Sequence, residues 1–379
     1  EAVYAEARRT TGHPLMGMLR AYKAICSKEA GEYIHYGATT QDISDTALIL
    51  QLREAWDIVE DKTRRLRKIL AGKAREYRSL VMIGRTNDQQ AMPITLGFKI
   101  STWIDELDRC LERMAQGRER IFVGQFAGAV GTMASLEQNG PRVQKLLFER
   151  LNLAAPKISW FATRDRLAEF TFDLAMICGA VGRMGNEVYN EQRSEVNELA
   201  EGYAQGKVGS STMPHKRNPF LPGRLAGRGR IAGTLVMRAM QCLENTNERD
   251  CRTLCIEPYH LKEICCLADG TLDIALELFG QMEVHEDQIG HNLEILQGLI
   301  YSEALMMRLA EVYGRMEAHE LVYELAMAAI GQKQQLKELA LADSRVMAHL
   351  TEEELENLMR PEHYTGLAEH FVDQVAGTA

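Results

Sequence analysis

Two adjacent hydroxyls set among cations carry the clearest chemical potential in this sequence. In AQGKVGSSTMPHKRNPFLPGRLAGRGR, residues 204 to 230, Ser210 and Ser211 lie in a glycine-rich run surrounded by Lys207, His215, Lys216 and Arg217. A serine hydroxyl is a poor base unless cations and backbone amides stabilise the charge it acquires, and such a loop can supply both. Two other readings fit the composition. A phosphate-binding loop would need GxxxxGK[ST], which does not occur. An RNA-contacting patch would add Arg224, Arg228 and Arg230, but spacings of four and two do not line one helix face.

Three further segments are polar enough to matter. EYIHYGATTQDISDTA, residues 32 to 47, places Thr39, Thr40, Gln41 and Asp42 at a helix entrance, where free amides favour an anion or a simple cap. IGRTNDQQAMPITLGFK, residues 83 to 99, reads as a loop in which Arg85, Thr86, Asn87, Gln89 and Gln90 suit carboxylate recognition or a solvated turn. In WFATRDRLAEF, residues 160 to 170, Thr163 is a candidate cap, and Arg164 and Arg166 are expected to pair with Asp165 or Glu169 on the surface. Cys251, Cys255, Cys265 and Cys266, with His260 between them, lack the paired spacing of a zinc site and sit in a helix-like run. They are expected to be buried free thiols, which suits a reducing cytoplasm.

Long helices must position these segments. From Thr46 to about Leu80, apolar residues recur at Leu48, Leu52, Ala55, Val59, Leu66, Ile69 and Leu70, mostly three or four apart, with Asp45 as the expected N-cap. Leu96 to Ile121, Ala168 to Ala204 and Pro219 to Asn245 behave likewise, with helix stopping near Gly206 and resuming at Pro219. Helices of roughly 25 to 38 residues are two to three times the usual length. Interior glycines such as Gly179, Gly182, Gly185, Gly227, Gly229 and Gly233 each cost about 1 kcal/mol relative to Ala, which close helix–helix approach would offset. The expectation is an all-α, elongated bundle completed by other subunits, with no run alternating strongly enough for a sheet.

Composition narrows the function classes. With 44 Lys+Arg against 53 Asp+Glu the formal charge is −9, which disfavours nucleic acid as the main partner. No apolar stretch is long enough to span a membrane, and EAVYAEARRTTGH has no basic-then-apolar secretion signal. The absence of an initiator Met is read as a start inside a longer gene product.

GSSTMPHKRNP closely resembles the signature loop of the fumarase/aspartase superfamily, usually GSSxMPxKxNP. HYGATTQD and GRTNDQQAMPITLG resemble two further segments of that superfamily, in the same order. TRDRLAEF, QRSEV and GLIYSE are similar to its adenylosuccinate lyase and 3-carboxy-cis,cis-muconate cycloisomerase branch, and RPEHYTGLAEHFVDQV looks nearer the cycloisomerase-like members. The resemblance implies a three-domain helical subunit, here 1–38, 39–289 and 290–379, with a twenty-helix core in a homotetramer. It also implies active sites shared between subunits, a small dicarboxylate or polycarboxylate substrate, and no metal or organic cofactor.

By position, Ser210 matches the general base, and Lys216 and Asn218 match residues that hold the substrate carboxylate and its intermediate. Thr39, Thr40 and Thr86 match further carboxylate donors, and His13 matches a histidine near the leaving group in some adenylosuccinate lyases. Read without the resemblance, His13 before Pro14 is an ordinary surface histidine. Two departures stand out. Asn87 replaces the general-acid histidine of GRTH, and Gly223 stands where its glutamate partner is expected. After NERD, Arg249 is retained, but Leu254, Cys255 and Pro258 replace residues that grip a nucleotide phosphate. The implied activity is anti β-elimination from a non-nucleotide succinyl compound, releasing fumarate or a close analogue. A cycloisomerase and a catalytically silent structural homologue are the rival readings.

Overall fold

The computed structural model describes residues 2–11, 14–203 and 209–377. In chain order the helices are α1 (Ala2–Thr11), α2 (Leu15–Ile25), α3 (Lys28–Glu32), α4 (Thr40–Glu76), α5 (Leu96–Ile121), α6 (Gly140–Leu151), α7 (Asp165–Glu191), α8 (Phe220–Gln241) and α9 (Cys251–Gly280). Seven more follow: α10 (Glu286–Leu293), α11 (Ser302–Tyr313), α12 (Arg315–Gln332), α13 (Leu336–Ala342), α14 (Ser344–Met347), α15 (Glu352–Leu358) and α16 (Ala368–Ala376). The strands are β1 (Val81–Thr86), β2 (Gln89–Thr95), β3 (Leu199–Ala200) and β4 (Glu283–Val284). Helix makes up 69% of the structure, so the all-α class holds. No helix among the described residues is long and apolar enough to cross a membrane.

The chain forms two compact units. The first comprises 1–61, 112–176 and 231–269. Its core holds Trp56 against Phe122 and Phe170, both at 5.5 Å between ring centroids. The expected cap Asp45 lies inside α4, which begins earlier because Asp42 accepts from the Thr39 amide at 2.8 Å. Asp45 instead pairs with Arg164, whose guanidinium also meets Glu257 at 2.5 Å; all three side chains are buried. Arg164 is therefore no surface residue. It also lies over the Trp160 ring at 4.9 Å. Arg166 donates to the Arg120 carbonyl, and Glu169 pairs with Arg120. The cysteines are free, but Cys251, Cys255 and Cys266 are exposed and Cys265 only partly covered, correcting their expected burial. They follow the outer face of α9, while His260 is buried, and burial pushes its imidazole down to about 4.

The second unit comprises 62–111, 177–230 and 270–379. Gly182 and Gly229 permit the close approach expected of α7 and α8: a Cβ on Gly182 would lie 2.9 Å from the Gly229 Cα. A Cβ added to Gly179, Gly227 or Gly233 would meet nothing within 4 Å among the described residues, so contacts within this chain do not require glycine there. The helix expected to reach Ala204 ends at Glu191, and Arg193 to Asn197 turn back on themselves through amides donated to the Arg193 carbonyl. The expected stop near Gly206 lies outside the described residues. The segment expected to be a loop is the antiparallel hairpin β1–β2, which turns at Asn87 and Asp88 with φ of 51° and 62°. Two left-handed residues give the turn whose twist suits paired strands, and Asn and Asp tolerate it. Ile83 on β1 packs into a core with Leu305, Leu309, Leu325, Leu336 and Leu355.

Asp173 on α7, in the first unit, is buried, and one carboxylate oxygen has no hydrogen-bond partner. Burial and the nearby Glu169 push it up to about 6, against the pull of Arg113 and Arg120. A folded-state value above the unfolded one means stability is lost as pH rises from about 4 to 6. Asp173→Asn should therefore raise stability at pH 7.5 by about 1–3 kcal/mol, with the gain vanishing near pH 4, as read from thermal unfolding.

Candidate active site

The signature loop in the second unit is built on one closure. Asn218 Nδ2 donates to the Gly209 carbonyl at 2.7 Å, joining the two ends of the segment from Gly209 to Asn218. Gly209 has to be glycine, because a Cβ there would sit 2.5 Å from the Lys216 carbonyl oxygen. Within the loop, Ser210 Oγ accepts from the Met213 amide at 3.1 Å and the Thr212 amide at 3.3 Å. Two N–H dipoles aimed at one oxygen favour negative charge on it, the condition a hydroxyl base requires. Ser211 Oγ has only the Thr212 hydroxyl at 3.5 Å among the described contacts. The geometry thus separates two serines that the sequence leaves equivalent.

The loop is tied to its surroundings. Glu201 accepts from the Leu221 amide at 2.7 Å, placing a carboxylate at the start of α8 where the helix dipole favours it. Gln192 accepts from the Glu201 amide at 3.0 Å and reaches the Arg217 carbonyl at 3.4 Å. Arg217 stacks over Tyr203 at 4.2 Å and pairs with Glu283 at 3.5 Å, so its charge is already engaged. Beside the loop opens a cleft of about 930 Å³ whose wall includes Arg193, Lys216, Asn218, His215 and His285. Its cations outnumber Glu195, which suits an anionic ligand. Ser210, Thr86 and Asn87 do not line it.

Thr86 and Asn87 are exposed at the hairpin tip of the same unit. Behind the tip, Arg85 forks onto the buried Glu198 at 2.6 and 2.8 Å, and Lys99 sits between Glu187 and Glu191 at 2.5 and 2.8 Å. Burial, reinforced by Glu198, pushes the Glu191 carboxyl up although Lys99 pulls the other way. In the first unit, Thr39 and Thr40 stand at the start of α4, and Arg249 donates to Thr39 Oγ1 at 3.0 Å and to the Ala129 carbonyl. Asp42 fixes the adjoining turn by accepting from the Ala127 and Gly128 amides at 2.8 and 3.0 Å. His13 and Lys207 lie outside the described residues.

The structure therefore gathers Ser210, Lys216 and Asn218 in one loop and joins Thr39 to Arg249. Sequence reading missed Arg193, His285 and Glu198 as wall and support residues. Only the irregular turn after α7 brings Arg193 and Glu198 to these places, and no local spacing signals it.

A family model described as a lyase matches residues 10–227, and one for the adenylosuccinate lyase C-terminus matches 298–375. The chain belongs to the fumarase/aspartase superfamily of lyases. Adenylosuccinate lyase of Methanocaldococcus jannaschii is 41% identical over 98% of this chain and 81% of its own length. N-acetyl-S-(2-succino)cysteine lyase of Dickeya dadantii is 40% identical over 96% and 80%. Among solved structures, the 3-carboxy-cis,cis-muconate lactonizing enzyme of Pseudomonas putida matches with a TM-score of 0.90 at 33% identity, covering 99% of this chain and 84% of that one. The fumarase/aspartase fold is thus shared at the level of the whole chain, while these relatives differ in what they act on.

Gly209→Ala should open this lyase's signature loop without unfolding the unit. Hydrogen exchange across 209–218 should rise by about tenfold or more, with the unfolding midpoint within a few degrees of wild type.

Proposed function

We propose that this protein eliminates a leaving group from a 2-substituted succinate or close polycarboxylate, releasing fumarate or an analogue, with Ser210 as the base. The observation that carries the reading is the Ser210 oxygen held under two amide N–H groups in the loop that also bears Lys216 and Asn218. The hydrogen to be removed sits beside a carboxylate, so its departure places a second negative charge on that group. Stabilising this dianion is the main catalytic burden, and fixed cations and donors meet it better than water. Lys216 supplies charge from the cleft wall. Asn218 spends one N–H on the loop and has a second for substrate. Thr86 and Asn87 at the hairpin tip are carboxylate donors, and Thr39, Thr40 and Arg249 form a separate set of donors within the first unit.

Asn87 donates a hydrogen bond but delivers no proton near neutral pH. The leaving group therefore departs as an anion or takes its proton from water or His13. A thiolate fits the first route, since a thiol's ordinary pKa of about 8.5 lets it leave without an acid. The relative that acts on a succinyl-cysteine supports this choice. A nucleotide is disfavoured, because Leu254, Cys255 and Pro258 offer no cation for a phosphate. Exposed Met237 and Met240 on α8, with Ile256 and Tyr259 on α9, support assembly into a homotetramer with shared sites. The free thiols suit a cytoplasmic protein.

A panel of N-, O- and S-substituted succinates, followed by the ultraviolet absorbance of fumarate, tests the reading against lactone loss from carboxymuconate. Ser210→Ala should lower kcat by about 10²–10⁴-fold, and Ser211→Ala by less than about tenfold. Equal effects of the two substitutions would remove Ser210 as the base. Lactone turnover without fumarate would establish the cycloisomerase, and no turnover anywhere in the panel would favour the silent homologue.

A further inference from the structure

Both arms of the β1–β2 hairpin are anchored one step below the tip. Arg85 and Gln90 are cross-strand partners, followed by the pair Thr86 and Gln89 and then the Asn87–Asp88 turn. Arg85 places its fork on Glu198, while Gln90 Nε2 donates to the Asn292 carbonyl at 3.0 Å. The anchors meet, because Asn292 Nδ2 donates to Glu198 at 2.7 Å and to the Val196 carbonyl at 2.8 Å. Glu198 is itself immobilised: its amide donates to the Glu191 carbonyl at 3.0 Å and its carbonyl accepts from the His285 amide at 2.9 Å. Its side chain is fully buried. Glu191 makes a poor substitute, since it reaches Arg85 only once, at 3.4 Å, and is held by Lys99.

We infer that Glu198 is a positioning residue, fixing through Arg85 and Asn292 where the Thr86–Asn87 tip is presented to a substrate carboxylate. This rests on the proposed reading that the tip receives a carboxylate of the succinyl group. A buried ion pair is a weak source of stability, because desolvation offsets its attraction. What it provides is direction, since a planar guanidinium meets a carboxylate in one two-pronged arrangement. Placed directly below an exposed turn, that arrangement sets the position of the turn.

The test uses the full-length protein with Glu198→Gln, which keeps the shape of the side chain and removes its charge. Hydrogen exchange in the hairpin, residues 81–95, should quicken by about tenfold, while helices elsewhere keep their protection. Fumarate affinity by calorimetry should fall by about tenfold, and adding the substitution to Thr86→Val should cost little more, because both act through one tip. Unchanged hairpin exchange, or unchanged fumarate affinity with loosened exchange, would overturn the inference. So would full additivity with Thr86→Val, the signature of a purely structural role. If Glu198→Gln does not fold, Arg85→Lys keeps the charge, loses the fork and should move the same readouts in the same direction. Wild-type protein that takes up no fumarate would remove the reading that the tip receives a carboxylate of fumarate instead, leaving the hairpin exchange to decide whether Glu198 holds the tip.

Discussion

A single hydrogen bond, from Asn218 Nδ2 to the Gly209 carbonyl, closes the loop on which the proposed chemistry depends. Developing charge is stabilised best by dipoles already in place, since those that must swing into position give up much of the interaction in reorganisation. Closure brings the Thr212 and Met213 amides onto Ser210 Oγ and sets Lys216 at the edge of the cleft. Glycine at 209 is what lets the two ends of the loop come so close. Downstream, α8 begins immediately after the loop, and Glu201 satisfies one of its free amides.

Buried charge plays a similar part in both units, at irregular segments that helix packing alone cannot define. In the first, Asp42 orders the turn at Ala127 and Gly128, and Asp45 and Glu257 share Arg164. In the second, Arg85, Lys99, Glu187, Glu191 and Glu198 form a network at the end of α7 and the foot of the hairpin. Desolvation makes such groups poor contributors to stability, so their use at turns points to geometry.

Much of this was legible in the sequence, for identifiable reasons. Helix periodicity located α5 at its observed bounds, since an amphipathic stripe is a local signal. The signature loop was legible because its residue types follow each other directly along the chain. The end of α7 was not, because Arg193 to Ala200 depart from helix to satisfy partners far away in sequence, among them Arg85 and Asn292. The hairpin was missed because Asn87 was weighed as a ligand, although with Asp88 it carries a left-handed turn. Arg164 looked like a surface residue because its nearest acids in sequence are not its partners. The cysteines of α9 were misplaced since hydrophobic character alone does not say which face of a helix is covered.

On the proposed reading, this loop is shaped for a carbanion beside a carboxylate. Binding of 3-nitropropionate as its nitronate tests it most directly, because the nitronate carries the charge and planarity of that intermediate. An enzyme complementary to the intermediate should bind it about 10²-fold or more tightly than succinate. Equal affinity for the two would show that the loop does not favour the intermediate.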